Sequence, residues 1–183
     1  MEGNEYVQQK ENRIENYSTL TISAWVKPNY DKGSSKFTIL AKPTAFDLSI
    51  NKDIPTQKRA TFSIYDGIRW DVVESKNPIP EGWTHLVGMF NGSAINIYVN
   101  GKLESSQPYV ESPTILVFKA LTKTTNFVSS NDITIGASAD NERTSERDYF
   151  SGYVQNIDLY DRALKPTEIA QLYNNFVANS PHS

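Results

Sequence analysis

The chain has no cysteine in its 183 residues, which excludes disulfides and thiolate metal sites and leaves its redox compartment unmarked. Histidine is almost as scarce: besides His182 in the tail there is only His85. Positive charge is not in surplus either, since 18 Lys and Arg face 21 Asp and Glu, for a net charge of −3 and a pI near 5.4. Such a chain has no field to attract a phosphate backbone or an anionic membrane surface, so no nucleic-acid partner is expected. No apolar run approaches the roughly 20 residues that span a bilayer, so membrane insertion is not expected. The opening MEGNEYVQQK also lacks the basic-then-apolar layout of a secretory leader.

What the chain does have is enough to fold. It is 38% hydrophobic and 11% aromatic, and its length suits one all-β domain with one core. We expect a single domain over residues 1–183, with the strand-like EYV close behind Met1 and the irregular ANSPHS end suggesting a module excised from a larger protein.

The dominant hydrophobic period is two, the signature of half-buried strands. TLTISAWVKP and KFTILAK show it, as do RATFSIY and IRWDVV. Asp66 and Gly67 between the latter two predict a type I′ hairpin, which needs positive φ at both positions. WTHLVGMF and AINIYVNGKL form the next pair, with Ile95, Ile97 and Val99 on one face and Asn100-Gly101 as a further turn. After DITIG a last long strand runs through YFSGYVQNIDLY, with Ile157 and Leu159 assigned to one face, Val154 and Tyr160 to the other, and cover on both sides. Only LKPTEIAQLYNNF is helical in period, with Pro166 suited to the first helical position and Glu168 to the N-terminal dipole. Many turn-punctuated strands with one late helix predict an all-β, antiparallel two-sheet sandwich with a short C-terminal helix. Leu103 to Asp132 is the least regular stretch and reads as an insertion or long loop.

In order, TLTISAWVKP, ILAK, EGWTHLVGMFNGSAINIYVNGKL, ITIGAS and YFSGYVQNIDLYDRALKPTEIAQLY resemble the landmarks of laminin-G-like, concanavalin A-like jelly-roll domains. The final segment is also similar to the end of pentraxins. The resemblance covers Tyr6 to Tyr173, and implies two stacked antiparallel sheets with ligands on the concave face or at rim loops. It also implies that Trp25 and Trp83 are buried landmarks. The chain departs from the pattern at Gln155 and Asn156, where relatives carry an acidic pair, and at Lys165, where they carry a small hydroxyl cap.

Two constellations are candidate sites. SADNERTSERD holds Asp140, Asn141, Glu142, Glu146 and Asp148, and a hard cation such as calcium takes several converging oxygens. The resemblance to pentraxins places their ions in the equivalent loop, and Asp31 would face it across the rim. The alternative is a solvated ion-pair network with Arg143 and Arg147. The second set is aromatic, because sugar C–H faces pack on flat rings. Trp70 lies between Arg69 and Asp71, and its strand face, shared with Ile68 and Val72, favours a core role over stacking. Tyr30, Tyr65, Tyr109 and Tyr149 are expected to be more exposed.

Catalysis is not expected. Glucanases of the resembled fold carry Glu, Asp and Glu at alternating strand positions so that acid and nucleophile face each other, and no such triplet occurs here. His85 has no nucleophile elbow beside it and reads as a strand histidine with satisfied partners. The expected role is therefore a non-catalytic carbohydrate-binding or adhesion module, extracellular or at a cell surface, with a glycan or extracellular protein as ligand. The sequons at Asn16 and Asn91 agree with an extracellular setting. The alternative is a structural or protein-interaction domain without sugar binding, self-associating through the apolar residues 114–121. A divergent glycoside hydrolase or polysaccharide lyase ranks last.

Overall fold

The computed structural model describes residues 7–9, 15–16, 18–52, 57–110, 128–129, 133–138 and 148–179. They form two facing antiparallel sheets. One runs in the order β1 (Val7–Gln9), β12 (Ile133–Ile135), β4 (Lys36–Lys42), β5 (Phe46–Asn51), β6 (Arg59–Tyr65) and β7 (Trp70–Pro78). The other runs β10 (Lys102–Pro108), β9 (Ala94–Val99), β8 (Thr84–Phe90), β3 (Leu20–Pro28) and β13 (Gly152–Tyr160). A short ribbon pairs β2 (Glu15–Asn16) with β11 (Val128–Ser129), and one helix, α1 (Pro166–Asn179), closes the described chain. The all-β sandwich with one late helix is thus observed.

Alternation decides what lies between the sheets. Phe46, Leu48 and Ile50 from β5 and Ala60, Phe62 and Ile64 from β6 meet Leu20, Ile22, Ala24 and Val26 from β3 in one buried cluster. Ile95, Ile97 and Val99 join it from β9. Each large side chain removed from water there contributes roughly 1.5–3 kcal/mol. Gly88 on β8 lets the sheets approach: a Cβ there would overlap the ring of Phe62.

The outer face of the five-stranded sheet is also covered, by α1. Val87, Met89, Tyr98, Leu164 and Ile169 form a second buried cluster. Trp25 points outward from β3 and is buried because Phe176 stacks on it at 3.9 Å between ring centroids, with Tyr173 at 5.6 Å and His85 at 5.2 Å. The helix starts without a hydroxyl cap. Instead Glu168 accepts from the Lys165 N–H at 2.7 Å and pairs through both carboxylate oxygens with Arg162. The Arg162 hydrogen bonds, followed by the Lys165 N–H, hold the Glu168 carboxyl down at about 2.

Several expectations need correction. The β6–β7 hairpin exists, but Gly67 alone of its turn pair has positive φ (96°). Asp66 is buried and its Oδ1 accepts from the N–H groups of Ile68 and Arg69, building a four-residue loop in place of a type I′ turn. The Asn100-Gly101 turn does have positive φ at both residues (50° and 75°). In β13 a bulge at Asn156 (φ 49°) shifts the register between Gln155 and Asp158. Val154, Ile157 and Leu159 therefore all pack on the inter-sheet core, not on opposite faces, while Tyr160 packs on the cluster under α1. Asp158 is exposed, so the strand is not covered throughout on both sides. Trp83 is not buried: it is 40% exposed, tilted against Tyr153 and Phe176. The strand Phe46–Asn51 was missed, although its Phe-Asp-Leu-Ser-Ile alternation is regular.

Two stability predictions follow from this packing. Gly88→Ala should lower unfolding free energy by about 1–3 kcal/mol through overpacking, and the added Phe62→Leu change should recover part of it; additive losses in denaturant titrations would contradict the contact. The second concerns pH. His85 is buried with its Nε2 2.9 Å from Ser23 Oγ and its Nδ1 without a partner among the described residues, and burial pushes its pKa down to about 4. The neutral ring is therefore the folded form, while the unfolded ring takes a proton near 6.5. Stability should fall as pH drops from about 6.5 to about 4, by on the order of 3 kcal/mol, and His85→Gln should flatten that part of the profile.

Candidate functional site

The inward commitment of Phe62 and its neighbours turns the alternate residues of the six-stranded sheet outward. Register then places them in rows across the strands. Thr38, Ser49, Thr61 and Glu74 form one row, and Ala41, Asp47, Ser63 and Val72 the next. Tyr65 and Trp70 pair at the end beyond. The result is a face of hydroxyls bounded by charges on one side and by aromatic rings on the other.

The polar groups are tied together. Lys36 Nζ donates to Asp47 Oδ2 at 3.0 Å, and Ser49 Oγ donates to Asp47 Oδ1 at 2.6 Å. Since that bond uses the only hydroxyl proton of Ser49, the 2.8 Å contact between Ser49 Oγ and Thr61 Oγ1 has Thr61 as donor. Asp47 is nearly enclosed, with 8% of its side chain exposed, whereas Lys36 keeps 34%. The floor closes toward Thr38 and Ser49, both fully buried, and Thr38 Oγ1 has no hydrogen-bond partner among the described residues.

The accessible part is a cavity of about 220 Å³ lined among others by Lys36, Asp47, Ser63, Trp70, Val72 and Ser138. Trp70 does not belong to the core. It is 44% exposed, as is Val72 (39%), because even-numbered positions of β7 face away from the facing sheet, and Ile68 (50%) is exposed in the loop before it. Its ring is propped at 5.2 Å and 41° by Tyr65. A flat indole beside fixed donors and acceptors can take the C–H face of a sugar and bond its hydroxyls.

A second cavity, of about 580 Å³, opens at the rim between the β3–β4 loop and the start of β13, lined among others by Lys27, Asp31, Lys32, Glu81 and Tyr153. Asp31 is exposed there, its N–H donating to Asn29 Oδ1. Asp148 is placed differently: its carbonyl accepts from the Thr38 N–H at 3.2 Å, so that residues 148–150 run beside β4. Asp140, Asn141 and Glu142, the other expected calcium ligands, lie outside the described residues, as do residues 114–121. Among the described residues no three His, Cys, Asp or Glu side chains gather as a metal site.

The tyrosines separate. Tyr30 is buried, not exposed: its ring stacks on Phe37, its hydroxyl donates to the Ile79 carbonyl at 2.8 Å, and Lys58 Nζ lies over its ring at 4.2 Å from the centroid. Burial, aided by the Glu81 charge, raises its pKa. Tyr109 is half-buried, edge-on to Phe90 and packed against the core. Tyr149 is half-buried with its N–H donating to Ser34 Oγ. Tyr65 is half-buried against Trp70, and of the five aromatic candidates Trp70 alone lines the cavity. β7 is an edge strand of its sheet, and its Trp70, Val72 and Glu74 are exposed while Val73 and Ser75 are buried, an asymmetry that the period-two pattern alone does not carry.

The profile of the concanavalin A-like lectin/glucanases superfamily matches residues 2–170, and the chain belongs to that family. No curated protein sequence matches it. Among solved structures, it is similar to a Bacteroides ovatus protein provisionally assigned to carbohydrate binding (TM-score 0.67, 15% identity, covering 92% of this chain and 44% of that one). It is also similar to the heptameric SAP-like pentraxin of Limulus polyphemus (TM-score 0.63, 14% identity, 87% and 71%). A third is the botulinum neurotoxin serotype D ligand-binding domain in complex with N-acetylneuraminic acid (TM-score 0.60, 15% identity, 93% and 39%). At these identities the likeness is one of fold, and the chain spans under half the length of the first and third.

Proposed function

We propose that this chain is a non-catalytic carbohydrate-binding module whose glycan lies on the outer face of the six-stranded sheet, stacked on Trp70. The observation that carries the reading is the half-exposed indole beside a small cavity in which Lys36, Asp47 and Ser63 present donors and acceptors. Buried, mutually bonded polar side chains are rigid, which lowers the ordering cost of binding. The ligand-bearing neighbours of the same fold agree with a binding role, and an extracellular or cell-surface setting fits it. No helix among the described residues is long and apolar enough to cross a membrane. Calcium binding by Asp31, Asp140, Asn141, Glu142 and Asp148 is a separate proposal on which this glycan site does not depend.

A protein partner is the second reading, favoured by the run of exposed Ile68, Trp70, Val72 and Val110 along one edge. The two separate on a glycan array. Trp70→Ala should weaken glycan binding at least tenfold, about 1.4 kcal/mol, with little change in melting temperature because the ring is exposed. Tyr153→Ala at the rim should bind as the parent does, with or without calcium. Binding that survives Trp70→Ala and disappears with Tyr153→Ala or with chelator would move the site to the rim.

A further inference from the structure

Resting on that reading, we infer that the Trp70 cavity selects a neutral sugar ring and rejects sialylated, uronic and sulfated glycans. Among the described residues, each charged side chain that lines or flanks the cavity is either matched by an opposite charge or buried. Lys36, the cation at the opening, is held by Asp47 at 3.0 Å. Lys42, the other lining cation, is fully buried. Arg69, beside Trp70, lies 3.4 Å from Asp71 and 3.9 Å from Asp66, and its Nη2 donates to the Val110 carbonyl at 3.0 Å. Arg59 faces Glu74 at 4.0 Å.

An anionic sugar would have to pull one of these cations from its carboxylate, leaving a partly buried charge without its partner. Asp47 can least tolerate this, since it is almost completely enclosed and, among the described residues, keeps only the Ser49 hydroxyl as a further side-chain donor. A neutral ring needs no such exchange: its hydroxyls both donate and accept, and can add to the Lys36–Asp47 pair and Ser63 without breaking a bond between them. Net charge works in the same direction, as the whole chain carries −3. At about 220 Å³ the cavity is also smaller than the roughly 300–1,000 Å³ of pockets that enclose larger ligands. It therefore takes one ring, with the remaining saccharide outside.

The test is a glycan panel with neutral hexose and N-acetylhexosamine oligosaccharides in one arm and sialylated, uronic and sulfated ones in the other. Affinities are measured at 50 and 500 mM NaCl for the whole chain and for Trp70→Ala. The expected result is Trp70-dependent binding of neutral members, at least tenfold tighter than any acidic one and changed less than twofold by salt, since no charge pairing with the ligand is there to be screened. Trp70-dependent binding confined to acidic glycans, or a large loss with salt, overturns the inference and leaves the binding role standing. Failure of every glycan, or binding indifferent to Trp70, overturns the underlying site as well. Asp47→Asn supplies a gain-of-function arm: it removes the carboxylate 3.0 Å from Lys36, and acidic glycans should bind at least fivefold better than to the parent. A folded Asp47→Asn protein with no such gain contradicts the role given to the pair.

Discussion

The ring of Phe62 against the bare backbone of Gly88 is the contact on which the rest depends. It lets the six-stranded sheet approach the five-stranded one closely enough for Phe46, Leu48, Ile50 and Ile64 to interleave with the apolar side chains of β3 and β9. Because strand side chains alternate, committing these residues inward also commits Asp47, Ser49, Thr61 and Ser63 outward. The polar face follows from the apolar core by parity.

The two outer faces then have different fates. On the five-stranded sheet, Trp25, Val87, Met89 and Tyr98 are apolar or aromatic, and α1 covers them. That surface is spent on stability, and its single histidine lies buried under the helix. On the six-stranded sheet the outward residues are short hydroxyls with a carboxylate and a lysine already bonded to each other, flanked by Trp70 and Tyr65. A flat ring next to compensated charges suits a ligand that brings hydroxyls and no net charge.

Most of the strands were legible in the chain because their period-two pattern is regular, and β4, β6 and the Asn100-Gly101 hairpin fall where alternation places them. The errors share one cause: alternation tells which residues share a face, not which face is covered. Trp70 and Val72 share a face as expected, yet that face is the outer one and meets solvent, while Ile68 lies in the loop before the strand. Trp83 is exposed although it adjoins the fully buried β8. Tyr30 looks like a loop residue but reaches the Ile79 carbonyl from the rim. In β13 the pattern itself misleads, since the bulge at Asn156 reverses parity halfway along. The cavity combines residues from β4, β5, β6 and β7 with Ser138, more than 100 positions after Lys36. No local pattern contains that juxtaposition.

The most direct measurement is a crystal structure of the chain with a neutral oligosaccharide that it binds. The account places one sugar ring on the indole of Trp70, with hydroxyls at the Lys36 and Asp47 side chains and the pair between them intact. Sugar density at the rim between Asp31, Glu81 and Tyr153, with the indole bare, would contradict it.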